Sequence, residues 1–454
     1  MGRALYDSKS TSIDDRGMGE LLSHEAKLRA WLEVEAALAR AQAAEGFIPQ
    51  AAADDICAHA RLECLDLEEM DRIKAKVGHG FVPFVKVLTA ACEGEGKKYV
   101  HYGVTTQNIQ QTAQLLTVKR ADAVFRTWLA DILDNLAALA RDHASAVMPG
   151  RTHGKHAIPI TYGYKVAVWS SELRQAVERL EQAGARTFSV MMGGAVGAFS
   201  ATGETGMRVQ RRVAEDLGMA SMDVPSRMIS SHKVEYIMDL ALACHVLHKM
   251  AEEVYYTGIE EFGEVREGFT KGTVGSSTMP QKINPKLAKG IIANTERLYA
   301  LVPLGLFGNA RMFEGDSSSY MQTDALVEEA LELATEVFKR AEELTRTLFV
   351  DEGRLRANAH INRGLDNSEH VMMELASRLG KDRAHSLVYD KAMQVELEGR
   401  DFIDVLREDP VVSEAFSADE IEAMLAPEAY TGCSELIARQ EAERAERAAE
   451  RLRS

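Results

Sequence analysis

Four long windows of this chain contain almost no glycine or proline, and they limit its possible folds more than any other feature. Residues 104–148 and 316–352 contain neither breaker, residues 162–183 only Gly163, and residues 234–262 only Gly258. Proline removes a backbone donor and glycine adds backbone entropy, so their absence leaves helix as the favoured state. In the first window Phe125, Leu129, Ile132, Leu136 and Leu139 recur at steps of three and four. In the second, Leu326, Ala330, Leu333, Val337 and Ala341 do the same. That spacing draws an apolar stripe along one helix face. Windows this long predict helices of roughly 25 to 45 residues, about 40 to 65 Å each. No small domain covers such stripes. They need one another or other copies of the chain, which predicts an all-α fold around a long central helix bundle.

At 454 residues the chain is long enough for two or three domains. Glycines near 103 and across 353–364 divide it into an N-terminal helical domain 1–103, a central bundle domain 104–358 and a C-terminal helical domain 359–454. Residues 369–406 resume a helical pattern, and 435–454 read as a charged, solvated helix. A balance of 53 Lys and Arg against 69 Asp and Glu, net −16, would repel nucleic acid phosphates. No run of about eighteen apolar residues suggests a membrane span. The polar N-terminus lacks a signal-like apolar stretch, which predicts a cytoplasmic location.

Cys57, Cys64, Cys92, Cys244 and Cys433 are scattered, with no metal-ligand pairing such as Cys-x-x-Cys. They are expected to be reduced and buried, and no metal is implied. Gly193, Gly194 and Gly197 mimic a nucleotide loop but lack its strand-turn-helix setting, so no cofactor is implied either.

Residues 275–285 read Gly-Ser-Ser-Thr-Met-Pro-Gln-Lys-Ile-Asn-Pro. Gly275 and Pro280 interrupt regular structure, which places Ser276, Ser277, Lys282 and Asn284 on backbone free of helical periodicity. Such a loop can act as a lid that presents hydroxyls, a cation and an amide to a ligand.

The ordered match Gly-Ser-Ser-x-Met-Pro-x-Lys-x-Asn resembles the signature of the fumarase/aspartase superfamily. Other segments extend it: Val-His-Tyr-Gly-Val-Thr-Thr-Gln-Asn at 100–108, Gly-Arg-Thr-His-Gly-Lys-His-Ala at 150–157, and His79 before them. The segments Leu-Asp-Asn-Ser-Glu-His from 365 and Leu-Ala-Pro-Glu-Ala-Tyr from 425 are similar to the adenylosuccinate lyase and 3-carboxy-cis,cis-muconate cycloisomerase branch. The resemblance implies a three-domain fold with a 20-helix core in a homotetramer, and active sites shared between chains. It also implies a small dicarboxylate substrate and β-elimination to fumarate, with Ser276 as general base and His153 as general acid. Thr105, Thr106, Gln107, His79, His101, Ser277, Lys282 and Asn284 then hold the substrate. The chemistry agrees, because the doubly charged carboxylate intermediate needs a cation and aligned donors. Helix-start amides at Thr105 to Gln107 favour anions. A serine base needs its pKa strongly depressed, and Lys282 is the expected helper.

The chain departs from the pattern in four places. Lys289 stands thirteen residues after Ser276 where a Glu is usual, Lys155 replaces a Gln, Gly315 replaces the Arg of Glu-Arg-Asp, and Asn108 replaces an Asp. Arg3 and Tyr6 are not adjacent, so the Arg-Tyr pair of nucleotide-binding members is missing. A cation facing His153 would favour its neutral ring and weaken it as an acid. That directs attention to a leaving group that departs as a stable anion, such as nitrite from nitrosuccinate. The alternatives are an adenylosuccinate lyase-like carbon-nitrogen lyase, a 3-carboxymuconate cycloisomerase, against which the retained His153 counts, and a noncatalytic scaffold, against which Ser276, Lys282 and Asn284 count.

Overall fold

The computed structural model describes residues 9–269, 272 and 274–453. Arg3 and Tyr6 lie outside them. The four breaker-poor windows form α1 (Thr106–Asp142), α2 (Tyr162–Thr187), α3 (Ser231–Thr257) and α5 (Ser317–Thr347). Between the last two runs α4 (Leu287–Asn309), a helix the windows do not reveal because Pro303 lies inside it. The α5 stripe is buried throughout. On α1, Phe125, Leu129, Ile132 and Leu136 are buried together with Trp128, Leu133 and Ala137, so that helix is covered on more than one face.

The fold is mostly helical, in line with the all-α expectation, and short strand pairs accompany the helices among the described residues. The first window does not stay helical to its end: Val147–Thr152 forms β1, paired antiparallel with β2 (Lys155–Thr161). Absence of a breaker permits a helix but does not hold one against cross-strand pairing. Two shorter ladders pair β3 (Ser189–Val190) with β4 (Ala220–Ser221) in parallel and β5 (Val265–Arg266) with β6 (Phe349–Val350) antiparallel.

By its contacts the chain forms two units. Unit one comprises Met1–Trp128, Ala176–His245 and Gly290–Lys339; unit two comprises Leu129–Gln175, Val246–Lys289 and Arg340–Ser454. Each of the five long helices contributes one stretch to each unit. In unit one, Trp31 of the helix His24–Ala44 meets Phe81 and Phe84 edge-on at 4.9 and 5.3 Å, within a cluster that includes Leu116, Val190 and Val209.

In unit two, Val371, Leu375, Phe402, Leu406 and Val412 form a core. There the two C-terminal segments singled out by sequence pack on each other: Asn367 Nδ2 donates to the Met424 and Ala426 carbonyls, and His370 stacks on Tyr430 at 4.5 Å. The terminal helix Ser434–Arg453 is not a solvated rod. Ala438, Ala442, Ala445 and Ala449 are buried, and Glu441 accepts from Ser170 and Arg174. Alanine spacing forms a buried face that the surrounding charges conceal from a compositional reading. Among the described residues no helix is long and apolar enough to cross a membrane. Cys92 and Cys244 are buried, Cys57 and Cys64 half-buried and Cys433 exposed, which corrects the expectation of five buried thiols.

Candidate active site

The signature loop is held in unit two by its own backbone. A Cβ on Gly275 would lie 2.2 Å from the Lys282 carbonyl oxygen and 2.5 Å from Ile283 Cα, so only glycine fits. Asn284 Nδ2 donates to the Gly275 carbonyl at 2.8 Å and staples the ends of the turn together. Between them, Ser276 Oγ accepts from the backbone N–H of Thr278 at 3.2 Å and of Met279 at 3.0 Å. A serine makes such bonds in many turns. The same two amides converge on the oxygen of the expected base, and hydrogen-bond donors of this kind favour a negatively charged oxygen over a neutral one. Lys282 and Ser277 are exposed, and among the described residues neither side chain hydrogen-bonds Ser276. Backbone amides, rather than the expected ammonium group, contact that oxygen within the single chain.

The loop leads into α4, whose N-terminus is capped from outside. Glu267 accepts from the backbone N–H of Lys286, Leu287 and Ala288, the shortest bonds being 2.7 Å. This satisfies orphan donors of the first turn and places negative charge at the positive end of the helix.

His153 occupies the tip of the β1–β2 hairpin. Thr152 pairs with Lys155, and His153 and Gly154 both have positive φ, 53° and 71°, the two-residue turn that matches strand twist. The imidazole is exposed, and among the described residues nothing hydrogen-bonds it. The hairpin base is anchored more firmly. Arg151 makes a two-pronged ion pair with the buried Glu264, one prong at 3.0 Å, and Asn358 Nδ2 donates to Glu264 at 2.8 Å. Glu264 directly precedes β5, from which the chain runs into the signature loop. Arg151 therefore ties the segment bearing His153 to the root of the segment bearing Ser276. Sequence reading quoted Arg151 inside a motif without assigning it this role. Lys155 is exposed on the hairpin, and Lys289 is exposed on the first turn of α4.

The remaining predicted residues lie in unit one. Thr105, Thr106 and Gln107 open α1, all half-buried. Asn108 is fully buried, and its Oδ1 accepts from Thr105 N–H at 2.9 Å and Gly194 N–H at 3.2 Å. The residue that departs from the usual Asp thus fastens the helix start to the glycine segment. There Gly193 and Gly197 approach backbone closely: an added Cβ would meet Gly197 Cα at 2.7 Å and the Pro225 carbonyl at 2.8 Å respectively. His101, at φ 59°, shares a 2.7 Å hydrogen bond from Nδ1 to the buried Glu35 and packs against Phe81. His79 Nδ1 accepts from Phe81 and Val82 N–H at 3.1 Å each and caps the helix Val82–Ala91. In both histidines Nδ1 is the engaged nitrogen, and Nε2 has no hydrogen bond among the described residues.

Two further features were not foreseen. Asp55, His59 and Cys92 bring potential metal-ligand atoms within 4.8 Å of one another. The Asp55 carboxylate, however, already accepts from Glu93, Gly94 and Gly96 N–H, so the group reads as a clamp on that turn. A cleft of about 300 Å³ in unit one, lined by His24, Trp31, Gln110 and Glu328 among others, contains none of the ten predicted site residues.

Residues 13–295 match the family model described as Lyase, and 364–440 match the adenylosuccinate lyase C-terminus. The chain is 34% identical to an adenylosuccinate lyase from Methanocaldococcus jannaschii, covering 92% of each sequence. It is equally 34% identical to an N-acetyl-S-(2-succino)cysteine lyase from Dickeya dadantii, covering 91% of each. The crystal structure of a fumarate lyase from Mesorhizobium sp. BNC1 superposes with a TM-score of 0.89 at 31% identity, covering 97% of this chain and 99% of that one. The chain belongs to the fumarase/aspartase superfamily of lyases, in the branch of adenylosuccinate lyases and 3-carboxy-cis,cis-muconate cycloisomerases.

Proposed function

We propose that this lyase cleaves a small substituted succinate by β-elimination and releases fumarate. The observation that carries the reading is Ser276 Oγ held between two backbone amides. As alkoxide it takes the proton from the carbon beside a carboxylate. The freed electron pair becomes the double bond of fumarate, and the bond to the leaving group breaks with its pair on that group. Lys282, Asn284 and Ser277, with Thr105, Thr106, Gln107, His79 and His101, hold the two carboxylates. His153 faces the leaving group.

These residues act in a homotetramer whose active sites are shared between chains. Support comes from large apolar side chains exposed on one chain, among them Leu306 (61%), Phe307 (74%), Phe313 (81%) and Met321 (76%).

The leaving group is one that departs as an anion of low basicity. His153 has no carboxylate hydrogen-bonded to it among the described residues, and Lys289 and Lys155 stand where the family pattern has uncharged or acidic groups. Nitrite from nitrosuccinate fits this requirement. A thiolate is the second reading, favoured by the similarity to a lyase named for S-(2-succino)cysteine.

The test feeds nitrosuccinate, N-acetyl-S-(2-succino)cysteine, aspartate, adenylosuccinate and argininosuccinate in parallel and follows fumarate absorbance, with 3-carboxymuconate run alongside for lactone formation. Fastest turnover of the first two is expected. Turnover confined to the amine-releasing substrates would refute the leaving-group argument, and lactone formation would favour the cycloisomerase.

A further inference from the structure

Thr152, His153, Gly154 and Lys155, the tip of the β1–β2 hairpin, are all exposed. No hydrogen bond among the described residues holds the His153 ring, so the ring goes where the backbone of the tip takes it. The cross-strand pair just behind Thr152 and Lys155 is Arg151 and His156. Opposed residues of a ladder present their side chains to one face. Here each meets a carboxylate from a different segment of unit two. Arg151 takes Glu264, and His156 Nδ1 lies 3.5 Å from Oδ2 of Asp366.

Both side chains of the second contact are mostly buried. His156 Nδ1 finds no hydrogen bond of ordinary geometry among the described residues, which leaves the Asp366 carboxylate as the group it faces. With a proton on Nδ1 the ring donates to this carboxylate whether it is neutral or charged, and a buried ring nitrogen without an acceptor is costly. Asp366 is itself held. It sits in the short 3-10 turn Leu365–Asn367, where its Oδ1 accepts from Asn362 Nδ2 at 2.9 Å. The next residue, Asn367, is fixed on the Met424 and Ala426 carbonyls. Gly364, at φ 85°, opens the turn against Leu425, whose Cβ would lie 2.7 Å from an added Cβ. One anchor on one strand would leave the tip free to pivot about it. Anchors on both strands, at the same rung, remove that freedom.

From this juxtaposition we propose that Asp366 is a positioning residue for the elimination. Through His156 it holds the second strand of the hairpin, as Glu264 holds the first through Arg151, and the two ties together fix where His153 stands. The inference rests on the role given to His153 in the proposed lyase reaction, and it brings the C-terminal segment into that reaction without contact to the substrate.

Hydrogen–deuterium exchange and steady-state kinetics of the full chain test it together. In Asp366→Ala the amides of residues 151–156 should exchange about tenfold faster, with α1 and α5 exchanging as in the wild type. On the fastest substrate of the panel, kcat should fall about tenfold and KM change about twofold at most, because other residues bind the substrate carboxylates. His156→Ala should do the same, and the double variant should be no worse than either single one, as befits two residues acting through one contact. Unchanged exchange in Asp366→Ala, or losses that multiply in the double variant, overturns the tie. Faster exchange with unchanged kcat, or a loss confined to KM, overturns the positioning role, as does exchange that rises throughout the chain. A wild type that turns over none of the panel refutes the lyase reading and with it the role toward His153, while the exchange measurement still decides the tie.

Discussion

Ser276 shows how far one residue can be read from sequence. Its place in an ordered run of glycine, hydroxyls, lysine and asparagine carries the family resemblance that makes it the expected base, and two backbone amides donate to its oxygen. Which groups would touch that oxygen was not legible, because the amides belong to turn geometry rather than to residue type. The Arg151 to Glu264 pair was hidden for another reason: its partners are 113 residues apart, and the motif that contains Arg151 does not point to Glu264. Ser276→Ala should lower kcat by about a thousandfold with KM little changed, measured by fumarate release. A variant within a few-fold of wild type would remove Ser276 from the chemistry.

At the scale of elements, missing breakers marked the long helices, but a breaker did not always mark an end. Four long helices were legible from missing glycine and proline. The strand at Val147–Thr152 was not, since its partner lies beyond a turn and pairing is a property of two segments. Nor was α4, whose Pro303 reads as an end. Its start depends on Glu267, a cap supplied from outside the helix. Glu267→Ala should cost on the order of 1 kcal/mol in urea unfolding. It should lower kcat as well, because the cap fixes one end of the loop that carries Ser276. A stability loss with unchanged kcat would separate the cap from the loop.

For the whole molecule, the exposed Leu306, Phe307, Phe313 and Met321 lead to an assembly prediction. Light scattering should report four copies, and Phe307→Lys with Met321→Lys should shift it to smaller species with loss of turnover; a monomeric wild type would refute shared sites. Acid stability is set in part by His232, which is buried at the start of α3 and whose Nε2 has no hydrogen-bond partner among the described residues. Burial, reinforced by Lys233, lowers its pKa from 6.5 to about 4. The unfolded chain takes up that proton below pH 6.5 and the folded chain does not until about pH 4, so stability falls as pH drops through this window. The loss from this one group is ~3 kcal/mol. Denaturant unfolding at pH 7 and pH 5 should show the slope, and His232→Leu should flatten it.

The threading of both units through the same five helices also governs how the polypeptide is made. A ribosome must extend the nascent chain as far as Lys339 before unit one possesses its last stretch, and further still for unit two. Neither half can mature early and wait for the other, so folding is deferred to late synthesis, where long-range closure is slow and chaperones have most to guard.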